Sequence, residues 1–189
     1  MYFPEKDKYI GFDFEKGDWV SPYGSGKDKD VLFMVQGGKR SDRSVSGSLH
    51  VKFPGTGSGV KIVEEWHRKS FFNFPYQAPE TGYIDKFPKA YNSDPEEGSV
   101  LSSSYGPAEG VKGYFFRCKL SKPNQGAEKA YYYGKINGDI RWSPVSNSDR
   151  NSKGLVQITY YLNPKPNDRN MEFDPVRNRL EDVDKRLAP

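Results

Sequence analysis

One cysteine, Cys118, and two histidines, His50 and His67, are all this chain holds of thiol and imidazole ligands. A lone thiol closes no intramolecular disulfide, and it excludes a structural zinc cage built on several cysteines. No run approaches the roughly 20 apolar residues a membrane helix needs, and Met1-Tyr2-Phe3-Pro4 is not a signal peptide. A chain that begins after a cleaved leader would read the same way. Charge of one sign is missing too: 29 basic residues are interleaved with 25 acidic ones for a net +4, so no nucleic-acid partner is advertised. The one basic cluster, Lys39, Arg40 and Arg43, reads as a solvated loop in preference to a phosphate site.

Catalytic signatures are equally sparse. There is no HExxH, no GxSxG and no local Cys-His pair. Gly24-Ser25-Gly26-Lys27-Asp28 resembles a phosphate loop, but Ser21 stands where the first Gly is required and Asp28 where Ser or Thr must follow the Lys. Asp28, Asp30, Asp94, Glu96 and Glu97 are oxygen ligands in type, without EF-hand spacing to organise them around calcium. Glu64, Glu65 and Asp139 are available to a two-carboxylate glycosidase, yet Glu64 and Glu65 cannot share one face of a strand. No catalytic residue, metal ligand or cofactor is assigned.

What the chain has is aromatic rings and turns. Aromatics reach 15% while all hydrophobics are 34%, so much of the apolar volume sits in Tyr and Phe, which favour strands over helices. Gly and Pro are spread along the chain, as many turns require. Lys8 to Phe14, Val31 to Val35, Ser46 to Phe53 and Gly59 to Trp66 read as strands, the last an antiparallel return after the turn-rich Pro54-Gly55-Thr56-Gly57-Ser58-Gly59. Residues 67–112 form a long excursion rich in Pro, Ser and Gly; its rings, Phe71, Phe72, Phe74, Tyr76, Tyr83, Phe87, Tyr91 and Tyr105, predict a segment packed on the body, with room for short strands. Residues 163–189 are irregular, with a short surface helix or a frayed end at Val176 to Leu187.

Gly113 to Ser121, Ala130 to Trp142 and Gly154 to Leu162 give the clearest sheet. Their inward sets are Tyr114, Phe116, Cys118 and Leu120; Tyr132, Gly134, Ile136, Gly138, Ile140 and Trp142; and Val156, Ile158, Tyr160 and Leu162. Cys118 therefore reads as a small buried hydrophobe. Asn137-Gly138 is a hairpin signal, but a two-residue turn there would mix apolar and polar faces, so one continuous strand is expected. Keeping like faces together pairs Lys119 with Tyr131, Arg117 with Tyr133 and Phe115 with Lys135. On the other edge it pairs Lys135 with Tyr161, Asn137 with Thr159 and Asp139 with Gln157.

That register gathers Tyr131, Tyr133, Tyr161, Arg117, Lys135 and Asp139 on one outward face as candidate ligand contacts. Rings beside planar hydrogen-bonding groups suit a sugar, which offers C–H faces for stacking and hydroxyls for pairing. The same residues also read as ordinary outward strand positions that the excursion covers. A basic face with rings fits single-stranded nucleic acid as well, and Lys112-Gly113-Tyr114-Phe115-Phe116 resembles the start of an RNA-recognition signature. Phe115, Arg117 and Lys119 break that signature, and its two helices have no candidates, so nucleic acid is set aside.

Tyr133-Gly134-Lys135-Ile136-Asn137-Gly138-Asp139-Ile140, with Tyr160-Tyr161-Leu162-Asn163-Pro164 and Asn167-Asp168-Arg169-Asn170-Met171-Glu172, resembles the C-terminal half of uncharacterised exported bacterial β-sandwich or lipoprotein-type proteins. The resemblance covers the C-terminal third of the chain. It implies a sandwich and an extracytoplasmic setting, periplasm or cell surface, and carries no activity or functional residue.

The expectation is a single all-β domain over residues 1–189: an antiparallel two-sheet β-sandwich, jelly-roll-like, with a long irregular excursion and little helix. The leading functional expectation is a non-enzymatic exported module that binds carbohydrate or another surface ligand. A structural or protein-interaction domain of a cell-surface protein is the alternative, and a jelly-roll polysaccharide hydrolase or lyase the further one.

Overall fold

The computed structural model describes residues 1–39, 45–65, 74–93, 111–120, 130–145 and 153–172, with the side chains of residues 39 and 88–93 excepted. Arg40, Arg43, His67, Phe71, Phe72, Asp94, Glu96, Glu97, Tyr105 and the helix or frayed end at Val176 to Leu187 lie outside them. Within them every element is a strand, and no helix is long and apolar enough to cross a membrane.

The strands are β1 (Ile10–Asp13), β2 (Asp18–Trp19), β3 (Val31–Lys39), β4 (Val45–Lys52), β5 (Gly59–Val63), β6 (Lys86–Ser93), β7 (Gly113–Lys119), β8 (Tyr131–Asn137), β9 (Arg141–Ser143), β10 (Leu155–Gln157) and β11 (Tyr160–Asn163). They form a five-stranded sheet in the order β2-β1-β3-β4-β6, a four-stranded sheet in the order β11-β8-β7-β5 and a two-stranded ribbon of β10 and β9. All pairs are antiparallel. The two larger sheets meet face to face as a sandwich, because strands with one apolar face must bury it against another layer. Their common core takes Ile10, Phe12, Val31, Phe33, Val35, Leu49 and Val51 from one sheet and Val60, Tyr114, Phe116, Cys118 and Ile136 from the other. Phe14 stacks on Phe116 at 4.3 Å, and Tyr160 meets Phe14 edge-on at 4.9 Å, which closes one rim of the sandwich with rings. Gly134 faces Phe116, where a Cβ would lie 2.2 Å from Cζ, so a small residue in the central strand makes the space the ring fills.

Several expected boundaries move. Residues 59–63 do not return alongside residues 46–53: β5 lies in the other sheet against β7, while β4 pairs β3 and β6. The turn-rich linker before Gly59 thus carries the chain between layers. The excursion holds an eight-residue strand, β6. Just before it, Ile84 bridges Val60 at the β5 edge and the Asp85 carbonyl accepts from the Phe53 N–H, so residues 84–86 step from one sheet to the other and close the second rim.

The register expected for β7, β8 and β11 is the one observed, with Lys119 opposite Tyr131, Arg117 opposite Tyr133, Phe115 opposite Lys135 and Lys135 opposite Tyr161. Asn137 donates its N–H to the Thr159 carbonyl at 2.8 Å, continuing that line. The single strand expected over Ala130 to Trp142 is broken, however. Gly138 takes φ +72°, and the chain leaves the four-stranded sheet to form β9; Gly154 to Leu162 splits in step into β10 and β11. Gln157 then pairs with Arg141 instead of the expected Asp139. Residues 138–140 stand against Ile158 alone, and this bulge shifts the register by an even number, so Ile136, Ile140 and Trp142 all still reach the core. The Asn-Gly pair therefore makes neither a hairpin nor an uninterrupted strand.

Candidate functional site

On the outer face of the four-stranded sheet, Phe115, Arg117, Tyr131, Tyr133, Lys135 and Tyr161 come together as the alternation requires. The face is not open. Residues 74–84 and 165–172 lie over it and build a second apolar cluster of Val63, Phe74, Ala78, Phe115, Tyr133 and Met171, with Tyr83, Tyr131 and Tyr161 against it. The two covering segments are tied to each other: Ala78 N–H to the Arg169 carbonyl at 2.8 Å, Met171 N–H to the Tyr76 carbonyl at 2.9 Å, a bridge between Gln77 and Asn170, and an Arg169–Glu80 ion pair at 3.1 Å.

Each candidate contact has a partner within the chain. Arg117 lies between two rings, its guanidinium carbon 4.4 Å from the centroid of Tyr83 and 4.7 Å from that of Tyr131. Its Nε donates to the Gly57 carbonyl at 2.6 Å and its Nη1 to the Glu80 carbonyl at 2.9 Å, so one side chain fastens two loops. Tyr131 donates its hydroxyl to the Thr56 carbonyl at 3.1 Å, and its backbone exchanges bonds with Asn167. Tyr133, expected as an exposed stacking ring, is 7% exposed and meets Tyr83 with centroids 6.5 Å apart. Tyr83 in turn donates to the Pro79 carbonyl at 2.9 Å, and burial pushes its phenol up. Tyr161 is half-buried beside the same cluster, and burial raises its phenol as well.

Lys135 departs furthest from the expected solvent-facing contact. It is 2% exposed, and its Nζ donates to the Met171 carbonyl at 2.5 Å while lying 5.6 Å from the ring centre of Phe74 and 6.0 Å from that of Tyr161. Burial pulls its amine down to about 7, against the opposing pull of the Glu172 carboxylate. Asp139 is not part of this face. The bulge after Gly138 turns it inward, where its Oδ1 accepts from the Tyr114 hydroxyl at 2.6 Å and from the Ile140 N–H at 2.8 Å; it is 8% exposed. Burial, reinforced by that carboxylate, raises the Tyr114 phenol.

Two polar groupings escaped the sequence reading. At the end of β1, Asp13 accepts from the N–H groups of Lys16 and Lys27 at 2.9 Å and Asp28 at 3.1 Å. Burial works to raise its carboxyl, yet these N–H donors hold it below the ordinary value. Asp30, which accepts from the Phe14 N–H at 2.9 Å, is pushed by burial up to about 7, with the Asp13, Asp28 and Glu15 charges adding to the effect. The pair holds the residue 14–30 turns against β1. The second grouping is on β4, where Ser48 Oγ lies 3.0 Å from His50 Nε2 and donates to Gln36 Oε1 at 3.3 Å. Which of Ser48 and His50 donates in that contact depends on the imidazole tautomer. The i, i+2 spacing of Ser48 and His50 was a signal that could have found this pair.

Cys118 is 1% exposed in the core, as expected of a small hydrophobe, and burial raises its thiol well above the ordinary value. Among the described residues no group of three or more His, Cys, Asp or Glu side chains could hold a metal ion. Comparison of the chain with protein-family models, curated proteins and solved structures finds no match.

Proposed function

We propose that this chain is a structural or protein-interaction domain, non-enzymatic, in an extracytoplasmic setting of the kind its C-terminal third resembles. The observation that carries this reading is the internal use of the aromatic face. Arg117, Tyr131 and Lys135 give hydrogen bonds to Gly57, Glu80, Thr56 and Met171 carbonyls, and Tyr133 is covered. A sugar would have to displace those partners, and at the one buried bond, Lys135 to the Met171 carbonyl, leaving a donor or acceptor unsatisfied costs about 1–3 kcal/mol. Among the exposed apolar side chains of the described residues, Ile62 and Ile84, at 44% and 46%, sit together beside the β5 edge, whereas Tyr76 is exposed on the covering segment and Met1, Tyr2 and Tyr9 near the start of the chain. Apolar groups at a strand edge suit another polypeptide better than a glycan.

The experiment is a glycan-array screen of the parent protein paired with the melting temperature of Tyr133→Ala. The expected result is no glycan bound by the parent and a melting temperature several degrees lower in the variant, roughly what about 2 kcal/mol produces in a domain of this size. A parent that binds a glycan, with Tyr133→Ala losing the interaction at an unchanged melting temperature, restores the carbohydrate-binding reading. Turnover of any polysaccharide by the parent would favour the hydrolase or lyase reading.

A further inference from the structure

The edge that β5 gives the four-stranded sheet is half used. Val60 and Ile84 exchange both backbone bonds, each at 2.9 Å, so Val60 turns its N–H and carbonyl away from β7 and out to that edge. Along an antiparallel ladder the direction of the backbone groups alternates from residue to residue. Gly59, Lys61 and Val63 therefore bond towards β7, and Ile62 presents its N–H and carbonyl to the edge as Val60 does. Continuing the bridge would set Gly82 opposite Ile62. Instead Gly82 takes φ +84° and the chain leaves the edge for the outer face, where the Lys61 Nζ donates to the Thr81 carbonyl at 3.3 Å. Among the described residues no other group takes its place at Ile62. The exposed side chains of Ile62 and Ile84 flank this gap, and Glu64 and Glu65 follow it, both exposed, with the chain bending at Glu65. Unpaired groups on an edge strand are a template for another strand.

We propose that this edge pairs with the β5 edge of a second copy, antiparallel about a twofold axis at Val63; the inference rests on the protein-interaction reading and names its partner. Such an isologous joint sets Ile62 opposite the partner's Glu64 and Lys61 opposite the partner's Glu65, and the same in reverse. The Ile62 N–H and carbonyl then exchange bonds with those of the partner's Glu64. On the outer face each Lys61 ammonium meets a Glu65 carboxylate. On the inner face Ile84, Ile62, the partner's Ile62 and the partner's Ile84 fall on one diagonal row, at the spacing long side chains reach across. The bend at Glu65 takes each chain out of line before it meets the partner's Ile84. The neighbouring registers fail. A joint centred on Ile62 puts the partner's Glu64 against Val60, where Ile84 already sits, and one centred on Glu64 sets two glutamates opposite each other. One short segment thus supplies both signs of charge and both apolar groups of the joint, which marks the partner as another copy of this chain.

Sedimentation equilibrium of the full chain tests the joint, at concentrations up to about 1 mM, which populate even a small interface. The parent is expected to form a dimer. Lys61→Glu and Glu65→Lys each set like charges against one another and weaken that dimer about tenfold. An equal mixture of the two variants regains it, because a pair with one chain of each kind restores both ion pairs. Should a variant fail to fold, hydrogen exchange of the parent gives a second reading: the Ile62 and Glu64 amides gain protection as concentration rises, while the Val60 amide, already bonded to Ile84, changes little. A parent that stays monomeric, single variants that associate as the parent does, a mixture that fails to recover, or Ile62 and Glu64 amides indifferent to concentration would each overturn the twofold joint. The protein-interaction reading falls separately, on a glycan bound or a polysaccharide turned over by the parent.

Discussion

The four-stranded sheet has two faces made by alternate residues of the same strands, and both are covered, by different means. Inward, Tyr114, Phe116, Cys118 and Ile136 meet another sheet, so strand is laid against strand. Outward, Phe115, Tyr133 and Lys135 meet irregular segments, and the polar tips of Arg117, Tyr131 and Lys135 end on backbone carbonyls of those segments or of the neighbouring loop. A sheet that closes on a sheet needs no polar side chains at the contact, because both backbones are satisfied by their own ladders. Loops bring unpaired carbonyls with them, and the outer face carries the donors that answer those carbonyls. Residues that look like a ligand platform in sequence are thus also what a loop-covered face requires.

The contrast is broken or sharpened first by truncating one ring on each face. Phe116→Ala removes a fully buried ring from the inter-sheet core and costs about 3–5 kcal/mol of global stability. Phe74→Ala, equally buried but on the loop side, falls at the lower end of that range or below it, because the covering segments can collapse onto the space. Denaturant midpoints and slopes of the two variants give the comparison. If Phe74→Ala proved as costly as Phe116→Ala with an unchanged slope, the cover would be as integral as the second sheet.

The next effect is in pH dependence, since burial forces Asp30 on the inner side of the sheet and Lys135 on the outer side towards neutrality. Asp30 acts electrostatically on Cys118 and Tyr132, which both belong to the inner set. Its folded value of about 7 lies above the unfolded value, so the folded state binds more protons between about pH 4 and pH 7. Asp30 therefore lowers stability progressively as pH rises through that window, and the full cost is present above pH 7. Asp30→Asn, which retains an acceptor for the Phe14 N–H, gains stability over the parent on the order of 2 kcal/mol at pH 8 and loses that advantage by pH 4. Thermal melts across pH 4–8 are the measurement. A gain independent of pH would mean that the carboxyl does not titrate within that range. The Lys135 window lies higher and slopes the other way, with stability rising from about pH 7 upward.

The smallest change is Tyr131→Phe, which deletes only the hydroxyl bonded to the Thr56 carbonyl near the surface. A loss of about 0.5–1.5 kcal/mol is expected, with faster amide exchange in residues 55–58. A loss of several kcal/mol would show that this one bond, more than Arg117, holds that loop.

How much of this was legible depended on range. Alternation alone separated Tyr114, Phe116 and Cys118 from Phe115 and Arg117, and placed Ile136, Ile140 and Trp142 in one core, because a strand's side chains have a period of two whatever lies above them. The same parity fixed the β7–β8 and β8–β11 registers. It could not reveal the bulge at Gly138, since a shift by an even number leaves every parity unchanged. Asp139 was therefore placed outward with its strand neighbours, when the bulge delivers it to the Tyr114 hydroxyl. The return of residues 59–63 to the wrong neighbour has a related cause: turn chemistry says that the chain reverses, not which sheet it joins.

The sequence by itself therefore determined an all-β chain, the division of its strands into two faces, the central register and the burial of Cys118. Those depend on bond geometry and on neighbours a few residues away. Only the tertiary structure decided that β5 crosses to the second sheet, that residues 74–84 and 165–172 roof the aromatic face, and that Lys135 is enclosed and not solvated. Exposure is set by whatever segment comes to lie on a face. That segment can be distant in the chain, as Met171 is from Lys135, and no local pattern records its arrival.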